Sequence, residues 1–172
     1  ANMRKELQDQ LYEKYPKIFA QKDLDMRQTA MCWGISCDDG WYNIIDMICA
    51  EIENHIENEN WSIHFKKERG ELPADAPNYP QIEATQVKEK LGGLRFYLNY
   101  YDDFIRGVIS MAESMSYRIC ESCGNPGKCN EEGWLITLCD PCRVENDNRM
   151  FKLNEEARER LTVKMNDVTV AP

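Results

Sequence analysis

The chain has 172 residues, of which 42% are hydrophobic, and it carries 21 basic and 30 acidic side chains for a net charge of −9. This size and composition support one sizeable core, or one core with a small metal-bound module, and they favour two lobes over two independent domains. No apolar run reaches the roughly 18 residues of a membrane-spanning helix, and no apolar signal segment begins the chain. We therefore expect a soluble, cytoplasmic protein.

The N-terminal third has helical periodicity. Apolar spacing over residues 3–15 predicts a first helix, which Pro16 ends. An irregular aromatic stretch over residues 31–37 leads to Asp38, which is suited to cap a second helix. That second helix carries a stripe of isoleucines that we expect in the core: Ile45, Ile48, Ile52 and Ile56.

A β-hairpin is predicted next, with strands over residues 82–91 and 94–100 joined by Gly92-Gly93 as a two-residue turn. This turn would place Lys90 directly opposite Arg95. Alternation then puts the apolar side chains on one face, namely Val87, Leu91, Leu94, Phe96 and Leu98.

The other face of the hairpin is a candidate anion-binding site, formed by Lys88, Lys90, Arg95 and Tyr97. Two cations that face each other across a strand pair are unfavourable unless negative charge lies against them. That charge could come from a bound phosphate or nucleotide, with the tyrosine available to stack on it. The alternative is an internal salt bridge to an acidic residue within 38–59.

Two more helices are predicted. Asp102 or Asp103 caps the first, and we expect its inward face to contain Phe104, Val108, Met111 or Ala112, and Met115. The second covers residues 143–165, with an apolar stripe of Met150, Leu153, Ala157, Leu161 and Met165. Charged residues flank this stripe, which indicates either docking on the N-terminal lobe or homo-oligomer formation through the helix.

Four cysteines form the most specific motif of the chain. Cys120-x-x-Cys123 and Cys139-x-x-Cys142 match the spacing of a tetrahedral Zn²⁺ site, because each short pair can turn both sulfurs toward one ion. A disulfide pair and an iron–sulfur cluster are the alternatives. A closed four-thiolate site leaves no open position for water, so we expect structural zinc in a zinc-ribbon module.

The other cysteines and the histidines predict little chemistry. Cys32, Cys37 and Cys49 are expected to pack as small apolar residues, and Cys129 to be an ordinary loop thiol, although the pattern leaves roles in metal binding or thiol reactivity open. The two histidines, His55 and His64, offer no evident catalytic triad. No catalytic residue is therefore predicted.

We divide the chain into an α+β lobe (1–117) containing the helices and the central antiparallel hairpin, a zinc-ribbon module (118–142), and a C-terminal helix and tail (143–172). Between residues 120 and 142, Lys128 is the only basic residue against four acidic ones. A module that grips nucleic acid needs cations to displace the counterions of phosphates, so this composition disfavours nucleic acid as the partner.

Several motifs together resemble a known family. These are Asp39-Gly40-Trp41, the segment from Ala84 to Tyr97, the segment from Ala112 to Ser116, and the segments Cys120–Gly127 and Gly133–Cys139. They resemble a family of small uncharacterised proteins encoded by tailed bacteriophages and prophages, over roughly residues 30–142. The resemblance implies a zinc-binding phage accessory protein of the bacterial host cytoplasm, with Cys120, Cys123, Cys139 and Cys142 as ligands.

The leading functional hypothesis is a non-catalytic protein that binds a host factor, including as an inhibitor of host defence. One alternative is a nucleic-acid-associated zinc-ribbon regulator, which steeply salt-dependent binding would reveal. A second alternative is a nucleotide or small-anion binder that uses the hairpin cations.

Overall fold

A computed structural model describes residues 1–170, with side chains through residue 168. The helices and strands in this part of the chain are α1 (Lys5–Lys14), β1 (Ile35–Ser36), α2 (Tyr42–Glu68), β2 (Ala84–Lys90), β3 (Gly93–Leu98), α3 (Asp103–Ser116), β4 (Lys128–Cys129), β5 (Thr137–Leu138) and α4 (Asp140–Val170). Short 3₁₀ helices cover Ala20–Asp23, Ala30–Trp33 and Asp39–Trp41. The predicted α+β class, with a long helix after the cysteine motifs, is confirmed.

The core lies between a small sheet and the helices. β1 runs parallel to β2, and β2 runs antiparallel to β3. Three residues of the predicted isoleucine stripe of α2 are buried, Ile45, Ile48 and Ile52, and Ile56 packs half-buried against the core. Trp41 and Phe19 are fully buried in the same core. Each such side chain contributes about 1.5–3 kcal/mol through its burial, so these residues hold the lobe together.

The predicted register of the hairpin is wrong by two residues. Lys88, not Lys90, pairs with Arg95, and Lys90 pairs with Gly93. The turn is therefore Leu91-Gly92, and Leu91 takes a positive φ of 54° with its side chain in solvent. A shift of two residues leaves the alternation unchanged, so Val87, Leu94, Phe96 and Leu98 are buried as predicted. The prediction that Leu91 shares this face is wrong, because Leu91 lies in the turn.

Gly93 lies inside β3, in close contact with the residue that follows α3. A Cβ at Gly93 would lie 2.3 Å from the ring of Tyr117, which follows α3. A side chain at residue 93 would therefore have to displace that ring, and the turn lies one residue toward the N-terminus of the predicted one. A non-glycine residue with positive φ is unfavourable by roughly 1–2 kcal/mol, which the tertiary contacts offset.

The inward face of α3 also differs from the prediction. Ala112, one of the two predicted alternatives, is buried together with Ile105 and Ser116. Val108 is half-buried, whereas Phe104, Met111 and Met115 are exposed. Both faces of this helix are apolar, so periodicity alone does not decide which one meets the core. The structure shows that the helix turns its second apolar face, with two methionines and a phenylalanine, to solvent.

Asp102, not Asp103, caps α3. Its Oδ1 accepts the Ile105 N–H at 2.8 Å, and its Oδ2 accepts the Tyr79 hydroxyl at 2.6 Å and lies 2.6 Å from His55 Nε2. The His55 ring stacks on Phe104, with 4.4 Å between ring centroids. One carboxylate thus joins α2, the segment before β2 and the start of α3.

Replacing Asp102 with alanine should lower the free energy of unfolding by about 2–4 kcal/mol, because the helix cap is lost and Tyr79 and His55 lose their partner. Urea denaturation would measure this. The matched control is Asp103→Ala, an exposed neighbour whose loss should cost less than about 1 kcal/mol. Equal effects of the two substitutions would contradict the proposed network.

Acid should weaken the same network. Burial acts to raise the pKa of Asp102, but hydrogen bonds from Tyr79, Ile105 and His55 outweigh it and lower the pKa from 3.8 to about 2. A lowered pKa stabilises the fold above pH 4, and this contribution is lost as pH falls through about 2. The acid-induced drop in stability between pH 4 and 2 should therefore be smaller in Asp102→Asn than in the unmodified protein.

The prediction that the last helix docks on the N-terminal lobe is wrong. No described side chain of α4 is buried, and Met150, Leu153 and Leu161 are 49–61% exposed.

Within residues 1–170, none of the helices combines the length and hydropathy that crossing a bilayer requires.

Candidate metal centre

Two turns bring the predicted cysteines together. Cys120 and Cys123 lie in a tight turn, in which the Gly124 N–H donates to the Cys120 carbonyl at 2.9 Å and Gly124 has a φ of 82°. Cys139 directly precedes α4, and Cys142 lies in the first turn of that helix. Proline is tolerated at position 141 because N–H groups in the first turn of a helix have no acceptor within the helix. The N–H that Pro141 lacks therefore costs no helical hydrogen bond.

The four sulfur atoms have a geometry that fits a metal ion. All four lie within 4.8 Å of one another, and those of Cys123 and Cys139 are 3.7 Å apart. A tetrahedral ion with metal–sulfur bonds of about 2.3 Å separates its sulfurs by about 3.8 Å. The predicted ligand set is thus assembled at one place, and its four cysteines can hold a metal ion.

Backbone donors favour the thiolate form of Cys120. Burial acts to raise the pKa of this fully buried thiol, but N–H groups of Cys139, Cys123 and Ser122 outweigh it and lower the pKa to about 7. The thiolate is the form that binds a metal. Cys123 is exposed, whereas Cys139 and Cys142 are half-buried, so one edge of the cluster faces solvent.

The cysteine turn packs directly on Asp39-Gly40-Trp41, the first of the motifs that carry the family resemblance. The Gly40 N–H donates to the Glu121 carbonyl at 2.7 Å, and the Trp41 indole N–H donates to the Ile119 carbonyl at 2.9 Å. A Cβ at Gly40 would lie 2.2 Å from the Cys120 carbonyl oxygen, so only glycine fits there. The metal-binding turn and the lobe therefore share one tightly packed interface.

Sequence reasoning missed Glu121 in this interface. Its carboxylate accepts the Asp38 N–H at 3.0 Å, and its backbone N–H donates to the Thr137 carbonyl at 2.9 Å. Burial raises the pKa of Glu121 to about 7, and the nearby Glu89 and Asp38 add to this effect. A glutamate beside a cysteine ligand carries no motif of its own, so only the fold identifies its role.

The hairpin turn forms the second contact between lobe and module. The buried Thr137 hydroxyl donates to the Gly92 carbonyl at 2.7 Å, and a Cβ at Gly92 would lie 2.7 Å from the sulfur of Cys129. Three segments far apart in the sequence thus meet around the cysteine cluster: 38–41, 92–93 and 119–138.

The hairpin cations are only partly available to an anion. The guanidinium of Arg95 pairs with the Glu113 carboxylate and donates to the Tyr117 hydroxyl at 3.2 Å. The internal acid thus comes from α3 and not from residues 38–59, because α3 packs along β3. Lys90 and Tyr97 are exposed and Lys88 is half-buried, and an anion site at these residues stays a prediction.

The remaining cysteines lie apart from the cluster. Cys37 and Cys49 are buried, and burial raises the pKa of both thiols. The Cys32 thiol is 3.3 Å from the Thr29 carbonyl, and Cys129 is half-buried beside Gly92. Within the described residues, no second group of three or more histidine, cysteine or acidic side chains is arranged to hold a metal.

Comparison with protein-family models, curated proteins and solved structures finds no significant match to this chain.

Proposed function

We propose that this chain is a zinc-stabilised accessory protein of a bacteriophage or prophage, and that it binds a protein of the bacterial host. Inhibition of a host-defence factor is the role to test first. Four cysteine sulfurs within 4.8 Å of one another are the donor set typical of structural zinc. The family resemblance of residues 30–142 is the basis for the phage assignment.

The observation that carries the binding role is the outer face of α3. Phe104, Met111 and Met115 are 47%, 68% and 42% exposed, although this helix already buries its other face. A surface helix normally turns charged and polar residues to solvent. Contiguous exposed apolar residues mark interaction sites, and methionines adapt readily to a partner surface.

The charge of the protein indicates the chemistry of the partner. The net charge is −9, so a partner with basic residues around an apolar centre would be attracted and oriented. The same charge disfavours nucleic acid, since residues 120–142 contribute only Lys128 against four acidic residues.

The test is capture of host proteins by the tagged, zinc-loaded chain, followed by calorimetry with the purified candidate. Met111→Glu should abolish binding of that candidate, because it places a charge at the centre of the apolar face. Ser110→Glu is the matched control, since it adds the same charge to an exposed, off-stripe position of the same helix. A candidate that binds the Met111→Glu protein with unchanged affinity would overturn the assignment of this surface.

A further inference from the structure

A straight apolar stripe runs along α4. Its members follow one another at intervals of 7, 4 and 7 residues: Met150, Ala157, Leu161 and Val168. Five helical turns of 3.6 residues span this distance, so the four side chains lie along one line of the helix. Leu153 lies at the edge of the same stripe and is 49% exposed. The helix of 31 residues is about 46 Å long, so the stripe offers a long and narrow contact surface.

The base of α4 is fixed to the cysteine module. Cys142 belongs to the cluster, and the Arg143 guanidinium donates to the carbonyls of Lys128 and Ile136 at 2.6 and 3.3 Å. No proline or glycine interrupts the helix after Pro141, so it has no hinge at which to fold back on its own lobe. The occupant of the stripe must therefore come from another molecule.

Charge favours a second copy of the same chain. Residues 140–168 contain six basic and seven acidic side chains, whereas residues 1–139 contain 15 and 23. The helix is therefore nearly neutral on a strongly acidic protein. Two copies can meet along α4 with little repulsion, whereas their other surfaces repel each other.

Charge also selects the direction of pairing. Residues 140–156 carry three basic and five acidic side chains, and residues 157–168 carry three and two. In an antiparallel pair, the acidic half of each helix lies against the basic half of the other. The two helix dipoles then point in opposite directions, so they attract each other. A parallel pair would set like halves together and bring the two acidic bodies side by side.

We propose that two copies of this chain associate through an antiparallel contact of their α4 stripes, with the two bodies at opposite ends of the helix pair. A contact of about five helical turns is small for a specific interface, so the dimer should form reversibly with concentration. The proposal is independent of host binding, which uses the outer face of α3.

Sedimentation equilibrium of the full-length, metal-loaded chain tests the association. The unmodified protein should show a monomer–dimer equilibrium, and Leu161→Glu should weaken it at least tenfold. Val163→Glu is the matched control: Val163 is 59% exposed and lies on the opposite side of the same helix, so the substitution should leave association unchanged. Circular dichroism of both variants checks that α4 stays helical.

Small-angle X-ray scattering of the dimer tests its direction. An antiparallel dimer should give an elongated particle with two separated masses, whereas a parallel dimer would be compact at one end. A monomer at every concentration, an equal effect of Leu161→Glu and Val163→Glu, or a particle with adjacent bodies would each overturn the proposal.

Discussion

Replacing Cys123 with serine should release the metal and unfold residues 120–142, whereas replacing Cys129 with serine should change neither metal content nor fold. Cys123 contributes one of the four clustered sulfurs, and Cys129 lies outside the cluster. Structural zinc supplies about 10–16 kcal/mol to small zinc-finger peptides at neutral pH. The strands of the module, β4 and β5, have only two residues each, so little besides the metal stabilises its fold. The loss of one ligand should therefore unfold the module.

Elemental analysis measures the first part of this prediction, with one zinc per chain expected in the unmodified protein and less than about 0.1 in Cys123→Ser. Hydrogen exchange measures the second, since amides of the cysteine module should lose protection while those of α2 retain it. Iron in place of zinc would identify a cluster instead. A metal-free, fully protected module under reducing conditions would show that the fold needs no ion.

Replacing Gly40 with alanine should lower the free energy of unfolding by about 3 kcal/mol and weaken metal retention. The new Cβ would lie 2.2 and 2.4 Å from the carbonyl oxygens of Cys120 and Glu121. Both are backbone atoms, so the turn that bears the first cysteine pair has to move away from the lobe. That movement breaks the 2.7 Å hydrogen bond from Gly40 to Glu121.

Gly107 provides the matched control for this substitution. It lies within α3, and a Cβ there would have no heavy-atom neighbour within 4 Å. Gly107→Ala should therefore stabilise the protein by about 0.5–1 kcal/mol, since alanine loses less backbone entropy in a helix. Urea denaturation and competition with a chelator would compare the two variants. A Gly40→Ala protein with unchanged stability and metal affinity would show that the interface is looser than its contacts indicate.

Local chemistry determined the parts of this protein that the sequence predicted correctly. Each Cys-x-x-Cys pair sets its own turn, so spacing alone identified the four residues that cluster within 4.8 Å. The faces of the hairpin followed from the two-residue period of a strand, and the isoleucine stripe of α2 from the helical period. Asp102 or Asp103 was identified as a cap because short acidic side chains satisfy free N–H groups.

Tertiary contacts decided the rest, because they act between segments that no local pattern connects. The hairpin turn lies at Leu91-Gly92 and not at Gly92-Gly93, although two glycines are the better local turn, and Gly93 instead packs closely against the ring of Tyr117. Packing on the sheet selected which apolar face of α3 is buried. The anchoring of α4 at Cys142 and Arg143 left its stripe in solvent, whereas periodicity alone had allowed either docking or self-association.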